Sequence, residues 1–291
     1  MFTQGLVVLL AVAAYASKNP IDWSKVKPID VLRPLPVKGI NRSPAPGNAR
    51  ITGGEEATPH SLPYQVALLL ELSEGTAFCG GSLLSPDWVL TAAHCVDGAS
   101  SAEVILGAHN VREEESTQVR LTSTEITIHP EWNSLLLQND LALIKLPQSV
   151  QLNENIQTIR LPSRSQLDET FVNSEVLASG WGKPSDSATS ISPVLRYVYS
   201  TVISKLSCNI RYLGVIQDSH ICSSGSGGKS TCSGDSGGPL VIKEADGKST
   251  QVGIVSFGIS FGCEIGWPAV FSRVTSFAEW ISAQTGVALR N

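Results

Sequence analysis

Thr231-Cys232-Ser233-Gly234-Asp235-Ser236-Gly237-Gly238-Pro239-Leu240 sets one serine directly after an acid and among three glycines. Glycines let the chain turn tightly and bring backbone N–H groups close to a reacting atom, so the run suggests a serine presented as a nucleophile. A serine hydroxyl is a poor nucleophile at neutral pH and needs a base. Histidine suits that task because its pKa lies near the working pH. Upstream, Thr91-Ala92-Ala93-His94-Cys95 supplies a histidine, and Asn139-Asp140-Leu141-Ala142-Leu143 supplies a carboxylate able to hold an imidazole in one tautomer. Singly, these residues read as a packed histidine, a turn aspartate and one serine among many. Their joint occurrence is specific.

With histidine, aspartate and serine in that order, the chain resembles the chymotrypsin-like serine protease family from Ile51 to about Gln284. The resemblance implies an all-β fold of two six-stranded antiparallel β-barrels with the site in the cleft between them, followed by a C-terminal helix. Barrel 1 is expected over about 51–160, barrel 2 over about 161–274 and the helix over about 275–284. Short β-rich runs between turn residues agree with this, among them Tyr64–Leu70, Ala102–Leu106 and Gln251–Phe257. Phe277, Trp280 and Ile281 fall at helical spacing and read as core.

The resemblance also assigns roles. Ser236 attacks the peptide carbonyl, His94 takes its proton, and Asp140 orients and stabilises the imidazolium. The N–H groups of Gly234 and Ser236 form the oxyanion hole. Cleavage after Arg50 frees the amine of Ile51, which pairs with Asp235 and orders the oxyanion loop. The six cysteines allow fifteen pairings in an exported protein. The family pattern selects Cys79 with Cys95, Cys208 with Cys222, and Cys232 with Cys263. No Cys-x-x-Cys pair is present and the histidines are scattered, so no metal site and no cofactor is expected.

At 291 residues and 42% hydrophobic content, the chain can bury a sizeable core. Gly5 to Ala14 is a short apolar run followed by Ala14-Tyr15-Ala16, which reads as a secretory signal over residues 1–16. No later stretch approaches the roughly 20 apolar residues of a membrane helix. A secreted, extracellular monomer without membrane contact is expected. Residues 17–50 read as an activation propeptide, proline-rich, extended and weakly ordered if at all, before the protease domain of 51–291. The propeptide carries seven basic and two acidic residues, net +5, against net −10 for 51–291. It is expected to lie loosely on an acidic face by long-range attraction that salt screens. The acidic domain excludes nucleic acid as a partner. Having no cysteine, the propeptide leaves after cleavage, taking with it the Asn41-Arg42-Ser43 glycosylation match.

Ser230 aligns with the base of the primary specificity pocket, where trypsin-like members carry aspartate. Ser256-Phe257-Gly258 and Ala269 align with its walls. An entering lysine or arginine would lose its hydration without a counter-charge, so cleavage after Phe, Tyr or Leu is expected. Elastase-like or collagenolytic broad specificity is the alternative, and a non-catalytic protease homologue a more remote one. The partners expected are protein or peptide substrates, protein inhibitors, and a separate trypsin-like protease that cuts after Arg50. Val176 and Ile242 stand where vertebrate members often have a further bridge, which suggests an invertebrate chymotrypsin-like or brachyurin-like member. Ala108-His109-Asn110 lacks the first ligand of the calcium loop of some relatives, and Glu113 to Glu115 read as a solvated turn. His60, His109, His129 and His220 read as surface or loop histidines.

Overall fold

The computed structural model describes residues 21–35 and 53–291. The signal segment and the Arg50–Ile51 junction lie outside the described residues. Near the start stand a two-residue strand β1 (Lys27–Pro28) and a one-turn helix α1 (Ile29–Leu32). After β2 (Glu55–Glu56), the first sheet is built from β3 (Gln65–Leu72), β4 (Gly75–Ser85), β5 (Trp88–Thr91), β6 (Ser101–Leu106), β7 (Val119–Ser123), β8 (Ile126–Ile128) and β9 (Ala142–Lys145). A single helical turn, α2 (Ala93–Val96), lies between β5 and β6 and carries His94. The sheet order is β7-β6-β3-β4-β5-β9-β8, and β7 and β8 are separated by only two residues, so its ends approach each other as a barrel. The alternation of β3 shows why it closes. Val66, Leu68 and Leu70 point into the barrel core while Ala67 and Leu69 join a second cluster on the opposite face.

The second sheet comprises β10 (Glu175–Gly180), β11 (Arg196–Ile203), β12 (His220–Ser223), β13 (Pro239–Lys243), β14 (Ser249–Phe257) and β15 (Ala269–Arg273). Helix α3 (Lys205–Tyr212) lies between β11 and β12. Pairing of β10 with both β11 and β13 closes this sheet, and β2 extends it at β11. The first sheet thus takes β1 and β3 to β9 and the second β10 to β15, with β2 crossing to the second. Val176, Val198, Val252 and Phe271 fill the interior, with Ile242 packed against the same cluster. Helix α4 (Val274–Thr285) buries Phe277, Ala278 and Ile281 against the first barrel's core, with Trp280 half-buried beside them. Gly286 ends it in the left-handed conformation that glycine adopts without strain. Among the described residues, no helix is long and apolar enough to cross a membrane.

Buried polar contacts join the barrels. Ser82 Oγ donates to Gln251 Oε1 at 2.7 Å, and Ser179 Oγ donates to Gln65 Oε1 at 2.6 Å. Satisfied polar pairs fix one docking angle, because a slip would strand a buried group. The three disulfides join Cys79 to Cys95, Cys208 to Cys222 and Cys232 to Cys263. The first ties β4 to α2, and the third ties the loop around Ser236 to the loop after β14.

Three expectations need correction. Residues 21–35 are not a loose, weakly ordered tail: β1 pairs in parallel with β4, and Ile29 is 1% exposed within the first barrel's core. Net charge misled because apolar contacts hold the segment. Among the described residues, Arg33–Glu74 is its one ion pair to the rest of the chain. His109 and His129 do lie in loops, but both are buried, and His220 is neither a surface nor a loop group, being buried in β12. His220 accepts from Gln217 N at Nδ1, lies 3.1 Å from the Leu137 carbonyl through Nε2, and meets Phe257 edge-on. Glu115, likewise, is no solvated turn residue. Its carboxylate accepts from the backbone N–H groups of His109 and Asn110 and so closes that loop internally.

Candidate active site

Helix α2 is one turn long, and Asp140 fixes its orientation. The Asp140 carboxylate accepts from His94 N at 2.9 Å through Oδ1 and from His94 Nδ1 at 2.7 Å through Oδ2. The Nδ1–H is therefore the donor, which leaves Nε2 as the basic nitrogen of the neutral ring. Ser256 Oγ donates to the same Oδ2 at 2.6 Å, and Ser272 Oγ donates to the Asp140 carbonyl at 2.8 Å. Asn139, just before, takes the left-handed φ of 54° and anchors its amide on the Glu131 carbonyl.

Both members of the pair are buried. Burial pulls the His94 pKa down, but the charge and hydrogen bond of Asp140, helped by the charge of Asp30, leave it raised. For Asp140 burial pushes upward, and the His94 charge and hydrogen bonds with the Ser256 donation hold the carboxyl below its usual range. The arrangement keeps a carboxylate ionised against an imidazole poised to accept a proton.

Ser236 is buried on the adjoining loop, whose backbone rests on the first barrel. Gly80 N donates to the Ser236 carbonyl at 2.7 Å, and a Cβ at Gly237 would strike Thr91 Oγ1 and the Gly80 carbonyl. This seats Ser236 next to the β5–α2 segment that carries His94. Among the described residues, Ser236 Oγ forms no hydrogen bond to His94, whose Nε2 faces Cys95 Sγ at 3.9 Å. Gly234 adopts φ +99°, and a Cβ there would sit 2.8 Å from an Ile191 methyl.

Asp235 is 1% exposed and accepts from Gly182 N at 2.8 Å and Cys232 N at 2.9 Å. Burial raises its pKa to about 6. The two N–H donors and Arg196 oppose that rise, and the charge of Asp30 adds to it. Cβ atoms on Gly180 or Gly182 would collide with its carboxylate.

A cavity of about 450 Å³ opens beside Ser236, lined by Ser230, Val255, Ser256, Phe257 and Gly258 on one side and Trp267 and Pro268 on another. Ala269, expected in the wall, does not line it: it sits in β15 opposite Ser223, buried in the second barrel's core. Asp186 reaches the lining, yet its carboxylate already accepts from Cys263 N and Glu264 N. Asp186, Cys232 and Cys263 cluster closely, but the two cysteines are bonded to each other, which removes them as metal ligands. Sequence reasoning missed Ser272, for which the sequence has no signal. It also missed Asp30, Pro34 and Leu35 at the cavity, although the apolar residues of Ile21–Leu35 were a sign of burial.

The Trypsin family model matches residues 51–281. The chain belongs to the trypsin family of serine proteases. This protease is 48% identical over 237 residues to brachyurin of Leptuca pugilator, covering 81% of this chain and 99% of that one. It is 36% identical over 279 residues to a chymotrypsin of Phaedon cochleariae, covering 96% and 97% of the two chains. The solved structure of HL collagenase superposes with a TM-score of 0.74 at 41% identity, covering 81% of this protease and 99% of that chain. Family membership makes the protease a serine endopeptidase of chymotrypsin-like fold acting on protein substrates.

Proposed function

We propose that the chain is the precursor of a secreted endopeptidase. A trypsin-like protease cuts it after Arg50, and the product cleaves after large apolar residues, Phe, Tyr and Leu, through an acyl-enzyme. Ser236 is the nucleophile, His94 its general base and later the acid for the leaving amine, and Asp140 the group that holds the imidazole in the Nδ1–H tautomer. The N–H groups of Gly234 and Ser236 stabilise the oxyanion. The observation that carries the reading is the His94–Asp140 pair, buried, doubly hydrogen-bonded and packed against the loop that bears Ser236.

Activation follows from Asp235. Among the described residues, burial outweighs the two N–H donors and the Arg196 charge at this acid and leaves its pKa raised. A new α-amino group at Ile51 would supply a cationic partner, and the ion pair would fix the loop between Cys232 and Ser236 in the form that aims both oxyanion donors. Apolar specificity is supported by a cavity with Ser230 in its wall and with the Asp186 carboxylate already engaged. A broader, collagen-cutting reading is favoured by the relatives named brachyurin and collagenase, at 48% and 42% identity.

The test is to treat the purified precursor with trypsin, sequence the new terminus, and profile cleavage of a mixed peptide library. The expected terminus is Ile51, and the expected cuts follow Phe, Tyr and Leu. Dominant cutting after Arg or Lys overturns the specificity, and full activity of a precursor in which Arg50 is replaced by Gln overturns the activation.

A further inference from the structure

The geometry points to residues 21–35 as a tethered inhibitor that fills a peptide-binding groove across the active-site cleft, so that the protease works only after this segment has left. The inference rests on the proposed cleavage after Arg50 for its release step, but the contacts stand on their own.

The segment touches four separate places. Ile21, Trp23 and Val26 pack on the cluster around Phe78 and Trp181, and the Trp23 ring lies 6.4 Å from that of Phe78. Lys27 and Pro28 pair with Ala77 and Phe78, immediately before Cys79. Ile29 and Leu32 enter the first barrel's core cluster. Leu35 then reaches the cluster of Phe257, Trp132 and Trp267 at the cavity.

Its polar groups are equally specific. Asp30 Oδ2 accepts from Ser233 Oγ at 2.6 Å, three residues before the nucleophile, and Asp30, Pro34 and Leu35 line the same cavity as Ser230 and Ser236. Arg33 grips both oxygens of Glu74, at 2.9 and 2.8 Å, and also donates to the Asp97 carbonyl. A bidentate guanidinium–carboxylate contact fixes orientation as well as charge. A polypeptide substrate cannot occupy the cavity entrance while these residues hold it.

No disulfide secures the segment. It contains no cysteine, and only residues 36–50 join it to Arg50. A tether of that length holds a ligand at an effective concentration of about a millimolar, so a weak site is filled before cleavage. Cutting removes the tether, and occupancy then depends on dilution. Activation thus has two steps: ordering of the oxyanion loop, and loss of the occupant.

The experiment uses the trypsin-cut enzyme and a synthetic peptide of residues 21–35, assayed with a short chromogenic substrate. We expect competitive inhibition that raises KM and leaves kcat unchanged. Ile29→Asp in the peptide should weaken inhibition by about a hundredfold, because it buries an unpaired charge. Arg33→Ala should weaken it by about fivefold, and that loss should vanish against enzyme carrying Glu74→Ala. A peptide that leaves both constants unchanged at about 1 mM overturns the proposal, as does an Ile29→Asp peptide equal to the parent. If trypsin fails to cut at Arg50, the activation reading alone falls. The inhibitor is then judged on the intact chain, where Ile29→Asp must speed labelling of Ser236 by a fluorophosphonate, and an unchanged rate overturns it.

Discussion

Ser256 Oγ and Asp140 Oδ2 lie 2.6 Å apart, so the oxygen that orients His94 also receives a donor from the second barrel. Ser256→Ala should leave that carboxylate one hydrogen bond short and loosen the imidazole. We expect kcat of the cut enzyme to fall about tenfold, the ~1.5 kcal/mol of a hydrogen bond to a charged group. Ser256→Thr, which keeps the hydroxyl, should recover most of it. Equal losses in the two variants would mean that pocket shape, not the hydrogen bond, was disturbed.

Asp235 predicts a pH dependence for the uncut chain. Its folded pKa is raised to about 6, so the folded state binds the proton more tightly than the unfolded one. Its contribution is fully present below about pH 4 and is lost as pH rises through about 6, a total of about 3 kcal/mol. Urea melts of precursor carrying Ser236→Ala, compared with the same protein also carrying Asp235→Asn, isolate the effect. The difference between the two should change across pH 4 to 6, and a constant difference would refute it.

Gly234 is held at φ +99° with Ile191 and Gly182 against it. Gly234→Ala strains the backbone and displaces its N–H. A drop in kcat of about 10² to 10³ is expected, with KM for a short substrate little altered. A precursor equally stable to the parent would show that the loss is one of geometry and not of folding.

Ser230 faces the cavity, and among the described residues after the activation site the one carboxylate in its lining, Asp186, is already engaged by backbone donors. Ser230→Asp should place an uncommitted charge there. Hydrolysis after Arg or Lys should rise relative to Phe by about a hundredfold or more in kcat/KM, read with paired chromogenic substrates. An unchanged ratio would move the specificity pocket elsewhere.

The sequence was most legible where chemistry and fold coincide. Thr231–Leu240, with the runs at His94 and Asp140, pointed to the site because each residue type there has few substitutes, and the β-rich run Tyr64–Leu70 marked a strand. Residues 21–35 were misread for a physical reason. Pro28 and Pro34 suggested an unfolded stretch, and Ile21, Trp23, Ile29 and Leu35 share no period because each docks into a different hollow of a surface made by the rest of the chain. The orientation of Ala269 and the burial of the three histidines were illegible for a similar reason, since which way a side chain turns is decided by neighbours far away in sequence. Ser272 is one more serine until the barrels meet.

The Asp140 carboxylate and carbonyl together collect His94 from one barrel and Ser256 and Ser272 from the other. The contact that orients His94 is therefore also a rivet through the seam between the two halves. A small hinge opening would pull it apart while each half remained intact, so heat should silence this protease before it melts it.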